Sequence, residues 1–397
     1  MSVSPVTGAK PAWFRAALLI TAAGWGANQF SPLLGAYRQQ LGLSPATVTG
    51  LFAVYVVGLI PGLLLGGPGA DRYGRKPIVL GANVLSVLAT FALMADLPLL
   101  LGIGRFFSGA AMGAVLAAGS AWVKELSNPP HDLEAPPGAG ARRASLLLSA
   151  GFGIGGLVAA LLAQWVSLLT AYLPHLVLSA VAIALAVRLP ETVPPRLTGG
   201  QTGVRDPRFL RLVAPVAPWV FAAPSIGFAV LPGLVEKRLA GFETAYAGVA
   251  IVMVLGAGVL IQPVGRRIAR RGVLTVAVTG LAGVAAGLLV GVLAAVTTQP
   301  VVALVADVLL GTGYGLCVTY GLTEIGKIAP PSGLARLSAI FWALTYVGFC
   351  APYVFTLLTA LTTAPVILTG AAVLTVLTAV AVPLLNSTVR AAPARGR

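Results

Sequence analysis

Residues 67–76 read Gly67-Pro68-Gly69-Ala70-Asp71-Arg72-Tyr73-Gly74-Arg75-Lys76, a charged, glycine-rich stretch between two apolar runs of membrane-spanning length. Only 9% of the chain is charged, yet Asp71, Arg72, Arg75 and Lys76 fall together here. Glycine permits tight backbone geometry and close approach, so the stretch predicts a turn that folds one helix back on the next. The rest of the chain supports that reading. It has 397 residues, 57% of them hydrophobic, and a mean hydropathy of +0.93. A soluble domain of this length needs far more charge to cover its surface, so the class is integral membrane.

A helix needs roughly 20 apolar residues to cross the hydrocarbon core. Twelve runs qualify: about 14–36, 46–67, 77–95, 98–123, 143–167, 170–188, 211–234, 244–264, 273–296, 299–323, 336–360 and 363–385. Continuous apolar runs predict helices, because barrel strands would alternate with polar lumen positions. The first run continues without a small-residue cleavage site and reads as a retained helix, not a signal peptide. Cys317 and Cys350 lie far apart in apolar runs, which argues against a disulfide framework or a metal site.

The basic residues orient the helices. Lys10, Arg15, the 67–76 stretch, Lys124, Arg142, Arg143, the five arginines between 188 and 211, Arg266, Arg267, Arg270, Arg271, Lys327, Arg336 and the C-terminal arginines all fall on one side. Only Arg38, Lys237 and Arg238 fall on the other, and Arg105 lies within a span. The positive-inside rule places both termini in the cytoplasm of a multi-pass plasma-membrane protein. The net charge of +15 then faces the anionic leaflet of the lipid bilayer, not nucleic acid.

The second half repeats the first. Gly67, Asp71, Arg72 and Gly74 recur as Gly265, Ala269, Arg270 and Gly272, with the acid lost. Arg105, Gly109, Gly113 and Gly119 of the fourth span recur as Asp307, Gly311, Gly315 and Gly321 of the tenth. Leu189-Pro190-Glu191-Thr192-Val193 parallels Leu385-Asn386-Ser387-Thr388-Val389. Three matches in one order indicate an internal duplication. The predicted division is 1–191, a cytoplasmic linker at 192–210, and 211–397.

The 67–76 stretch resembles the signature loop between helices 2 and 3 of the major facilitator superfamily, written G-x-L-A-D-R-x-G-R-K. Gly67, Ala70, Asp71, Arg72, Gly74, Arg75 and Lys76 match, and Gly69 stands where the family has leucine. The resemblance extends from Trp13 to Val389. It implies twelve transmembrane helices in two pseudo-symmetric six-helix bundles, an all-α membrane fold, with a substrate site near the midplane between them. It also implies alternating access through a cavity lined mainly by helices 1, 4, 7 and 10. Helix 5, with Gly151, Gly153, Gly155 and Gly156, is similar to the helix-5 signature of drug–proton antiporters, though that signature's proline is missing here.

Two readings stand for the charged loop. It could be a topological anchor, or a conformational latch in which Asp71, Arg72 and Arg75 pair with Glu125, Glu191 and Arg143, the partners the resemblance supplies. Glu324 and Arg336 are the counterparts of Glu125 and Arg143. For the intramembrane charges, Arg105 and Asp307 each lie seven residues into their spans. At about 1.5 Å rise per residue both are roughly 10 Å deep. A charge at that depth is costly unless paired or hydrated. The pair reads either as a proton-coupling site facing the cavity, with direct or water-mediated contact, or as a static ion pair between helices. The arginine also resembles the helix-4 arginine linked to proton coupling in drug–proton antiporters. Asn28, Gln29, Trp219, Trp342 and Tyr346, with Phe221 and Phe341, are cavity candidates for substrate contact. His175 reads as a packing or hydrogen-bonding residue.

No G-x4-G-K-[S/T] phosphate loop is present, so the expectation is no enzyme, no cofactor, and transport driven by gradients. One acid, one arginine and many aromatic groups suit proton-coupled export of a small amphipathic molecule, cationic ones included. The alternative is proton-coupled uptake of a polar metabolite or sugar. A non-transporting sensor or channel is disfavoured by the paired halves.

Overall fold

The computed structural model describes residues 11–136, 138–192, 204–329 and 334–391, and among them the secondary structure is helical with no strand. Lys10, Arg196, Arg395, Arg397 and most of the predicted linker lie outside the described residues. The helices are α1 (Ala12–Asn28), α2 (Pro45–Tyr73), α3 (Arg75–Leu93), α4 (Pro98–Leu126), α5 (Ala139–Trp165) and α6 (Leu173–Ala186), then α7 (Trp219–Val235), α8 (Glu243–Arg271), α9 (Val273–Thr297), α10 (Pro300–Ile328), α11 (Leu334–Val347) and α12 (Ala364–Ala391).

Ten of the helical segments are long and apolar enough to cross a membrane. The other two predicted spans are broken. After Asn28 the first continues as a turn at Ser31–Leu33 and a short helix at Leu34–Gln40, with Pro32 at the break. The sixth is a turn at Thr170–Tyr172 running into α6. Proline removes an N–H and disturbs the preceding turn, which explains the break at Pro32 and the irregular entry to α7 at Pro215 and Pro218. Likewise α11 passes through a turn at Gly348–Cys350 before Ala351–Leu358, where Pro352 sits.

The structure corrects the reading of 67–76 as a loop. The helix α2 runs through Gly67, Pro68 and Gly69 to Tyr73, and Gly74 alone, at φ 101°, makes the turn. That positive φ is why a glycine is required there. At Gly67 an added Cβ would meet nothing within 4 Å, so close approach is not its role. Its neighbour Gly66 makes that contact, against Ala114 of α4. In the second half α8 ends at Arg271, and Gly272 (φ 173°) is ordinary extended backbone.

The repeat is visible in the packing. The helices α2, α4, α8 and α10 each have 29 residues. A Cβ on Gly109 or Gly113 would strike the Tyr55 or Leu59 carbonyl of α2, and one on Gly58 or Gly62 would strike the Phe106 or Ala110 carbonyl of α4. The same arrangement recurs where Gly311 meets the Val254 carbonyl and Gly315 meets the Gly258 carbonyl of α8. Small residues let membrane helices approach backbone to backbone, where dispersion and weak polar contacts replace the absent hydrophobic drive.

The halves meet where α5 packs on α8 and α2 packs on α11. Four polar contacts between them sit at the predicted external face. Arg38 pairs with Glu236, and Gln39 donates to Glu236 Oε1 at 3.1 Å. Gln164 donates to the Gly241 carbonyl at 2.7 Å and accepts the Ala245 N–H at 3.1 Å. Among the described residues no hydrogen bond joins the halves at the opposite, basic face.

This closure is expected to be weak. Arg38 and Glu236 are 38% and 24% exposed, and such pairs contribute at most about 1 kcal/mol. Arg38→Ala should therefore shift the open population at that face by up to about fivefold. Double electron–electron resonance between spin labels at positions 40 and 240, with Cys317 and Cys350 replaced, should show a longer-distance component. A distance distribution identical to the parent's would show that other contacts hold the face shut.

Candidate functional site between the halves

The helix α4 brings Arg105 into the first half on the face that carries Gly109 and Gly113. The side chain is 1% exposed and donates from Nε to the Leu51 carbonyl (3.3 Å), from Nη1 to Ala27 (3.3 Å) and from Nη2 to Phe52 (3.4 Å). Its guanidinium lies over the rings of Phe30 (4.7 Å), Tyr55 (4.6 Å) and Phe52 (5.8 Å). Carbonyl dipoles and ring faces together offset the cost of burying the charge.

Asp307 occupies the equivalent position in the second half. It is fully buried on α10, and neither carboxylate oxygen has a hydrogen-bond partner. It fills the space left by Gly227 of α7, where a Cβ would collide with Oδ1. The pseudo-symmetry is close, since Arg105 reaches residue 27 of α1 while Asp307 abuts residue 227 of α7. Chemically the two differ. A helix interior offers carbonyl lone pairs but no free N–H. An arginine can donate to those carbonyls, whereas an ionised carboxylate finds no donor. Arg105 and Asp307 form no hydrogen bond or ion pair with each other, so the structure does not bring the predicted pair into contact.

Between the charges lies an aromatic cluster. Phe52 of α2 stacks on Phe349 at 5.3 Å and meets Phe228 of α7 edge-on at 6.0 Å. Tyr55 lies 6.2 Å from Phe349, and its buried hydroxyl has no partner. Phe221 of α7 contacts Tyr346 (4.3 Å), Phe349 (5.0 Å), Tyr314 (5.8 Å) and Trp342 (6.1 Å). Two of the three first-half rings that shield Arg105, Phe52 and Tyr55, thus also touch the second half.

Of the predicted cavity residues, Trp342 and Tyr346 join this cluster. Trp219 does not, because its indole N–H donates to Thr378 of α12 at 3.3 Å, within the second half. Asn28 bridges α1 to α5, donating to the Phe152 carbonyl at 2.9 Å and accepting from Ser31 at 2.6 Å. Gln29 donates to Thr90 at 3.0 Å, and Thr90 contacts His175, whose ring also meets Ser86 and Ser179. His175 is thus a buried hydrogen-bonding residue, as its position predicts.

The charged cluster around Gly74 lies within the first half. Arg75 bonds Asp71 at 2.6 Å and Glu125 at 3.4 Å. Glu191 accepts the backbone N–H of Arg75 (2.9 Å) and of Lys76 (3.0 Å), a carboxylate seated at the start of α3 where the helix dipole favours it. Thr192 donates to Glu125, which ties the end of the first half back to α4. Arg72 lies over the Tyr73 ring instead. Arg143 stands apart from the cluster, pairing with Asp132 at 2.7 Å and stacking on Trp13 at 4.0 Å. Its partner Asp132 comes from the segment that joins α4 to α5. In the second half Glu324 bonds Lys327 at 2.9 Å.

The family model described as Major Facilitator Superfamily matches residues 16–352, nearly the whole helical array. The chain belongs to the Major Facilitator Superfamily. Among curated members, a chloramphenicol resistance protein of Pseudomonas aeruginosa is 27% identical over 351 residues, 83% of this chain and 77% of that protein. A 3-(3-hydroxy-phenyl)propionate transporter of Escherichia coli strain K12 is 35% identical over 97 residues, 24% of each chain. A nucleoside transporter crystal structure superposes with a TM-score of 0.70 over 96% of this chain and 99% of its own, at 13% identity. A POT family transporter in complex with 5-aminolevulinic acid gives 0.74 over 95% and 96%, at 11% identity. These two likenesses show the superfamily fold.

The sequence reading missed Phe52, Tyr55, Phe228, Tyr314 and Phe349. One signal could have found two of them. Phe52 and Tyr55 lie on the α2 segment that the glycines of α4 contact, so duplication plus glycine spacing marks that segment as packed rather than lipid-facing.

Proposed function

We propose that this major facilitator transporter couples proton movement to efflux of a small amphipathic molecule that binds among the aromatic rings between its halves. The observation that carries the reading is Asp307, buried without a partner on a helix that contributes Tyr314 to the cluster. Protonated, the acid can donate to a neighbouring carbonyl and stay buried. Ionised, it must gain water or a donor, and the halves must separate for that. Such a group can exchange its proton between the two arrangements and so couple proton movement to alternating access. The bundles 1–191 and 211–397 act as the moving units about the linker 192–210. The Asp71–Arg75–Glu125–Glu191 network keeps the first unit rigid at the basic face, which we assign to the cytoplasm with both termini in a plasma-membrane setting.

Efflux is favoured by the chloramphenicol resistance relative, which aligns over most of both chains. Uptake of a polar metabolite or sugar is the competing reading. It would need a wider set of free polar groups than the Tyr55 hydroxyl and the Asp307 carboxylate, whereas Arg105, Asn28 and the Gln29 amide N–H are engaged inside the first half.

Everted vesicles with an acidic interior and a pH-sensitive dye test the proposal. Chloramphenicol or a lipophilic aromatic drug should dissipate the gradient only when the protein is present. Counterflow of a sugar or acid without any drug response would overturn efflux in favour of uptake.

A further inference from the structure

We infer that the basic end of α8 forms a binding groove for the headgroup of an anionic phospholipid. Val264, Arg267, Ile268 and Arg271 line a groove on one exposed face of this helix. Residues three and four apart share a face, so the two guanidiniums stand one turn apart above two apolar side chains. Leu260, 79% exposed, extends the apolar stripe one turn deeper, where an acyl chain would lie.

Among the described residues the arginines have no counter-charge. In the first half Asp71 pairs with Arg75, and Glu125 pairs with Arg75 as well. In the second half Ala269 stands at the Asp71 position and Glu324 is engaged by Lys327. Among the described residues no ion pair involves Arg266, Arg267, Arg270 or Arg271. Arg270 stands at the Arg72 position, whereas Arg267 and Arg271 stand where the first half has Gly69 and Tyr73, so this half gained cations while losing the acid, and the balancing anion comes from outside the chain. A phosphodiester fits, because the planar guanidinium fork matches phosphate oxygens in pairs. The exposed apolar stripe beneath the arginines favours a lipid over a free anion.

Native mass spectrometry of the detergent-purified full chain tests this with phosphatidylglycerol, phosphatidylcholine and inorganic phosphate as probes. The parent should retain phosphatidylglycerol and shed phosphatidylcholine. Arg267→Gln/Arg271→Gln, at exposed positions, should lose about 30-fold in phosphatidylglycerol retention, or about 2 kcal/mol for two basic groups. Arg266→Gln/Arg270→Gln, outside the groove, should retain it as the parent does. Equal loss in both double variants would mean a diffuse surface potential and overturn the groove. Full retention in the first variant, or displacement by millimolar inorganic phosphate, would overturn the lipid assignment.

Discussion

Asp307→Asn is expected to lower accumulation against a concentration gradient by on the order of 100-fold while leaving exchange of substrate for substrate near the parent rate. The magnitude follows from the driving force that is lost, since an uncoupled variant can only equilibrate its substrate, whereas one coupled proton across about 2 pH units supplies about 2.7 kcal/mol, or about 100-fold. Asparagine fills the same space beside Gly227 and can donate to a carbonyl, as the protonated acid does, but it carries no exchangeable proton. The folded state should therefore tolerate it, while the coupling should not. Paired flux measurements in proteoliposomes, one with an imposed pH gradient and one at equilibrium exchange, separate the two effects. Full gradient-driven accumulation by the variant would reduce Asp307 to a packing residue. Loss of both activities together would instead indicate a misfolded second half.

The second large effect is structural. Gly109→Val or Gly311→Val should abolish the folded monomer, because each new side chain would strike the Tyr55 or Val254 carbonyl of the facing helix. Overpacking costs about 1–3 kcal/mol where a side chain can yield, and more here because backbone is in the way. Separating α2 from α4 would also strip Arg105 of the Leu51 and Phe52 carbonyls, leaving the Ala27 carbonyl as its remaining acceptor. By contrast Gly81→Ala, Gly153→Ala and Gly326→Ala add a methyl to open space and should leave the protein unchanged. Size-exclusion chromatography of tagged variants in mild detergent checks this. A monodisperse peak for Gly109→Val or Gly311→Val at parental yield would contradict the proposed helix contacts.

Much of the fold is written in the sequence because the bilayer leaves few options. Apolar run length determines helix length, basic residues mark one face, and spaced glycines mark the close helix pairs. The duplication identified Arg105 and Asp307 as equivalent positions before any contact was visible. Their partners were not legible, since nothing in the spacing distinguishes an arginine that meets a carboxylate from one that meets carbonyls and rings. Which aromatics face lipid and which cross between the halves was hidden for a similar reason. In a membrane helix both faces are apolar, so Phe52 and Leu65 look alike in sequence although one is buried and the other 70% exposed. The charged stretch at 67–76 misled in a different way. Its glycines and Pro68 suggest a loop, yet a helix longer than the hydrocarbon core continues past it and needs only Gly74 to turn.

Counting protons against substrate in one preparation tests the central claim most directly. The purified protein is reconstituted in proteoliposomes containing a pH-sensitive dye, and an amphipathic aromatic compound is added to one side with no imposed pH gradient. The account predicts proton movement opposite to the compound's flux, lost in Asp307→Asn and present in the parent. Flux of the compound with no proton movement, or protons travelling in its own direction, would contradict it.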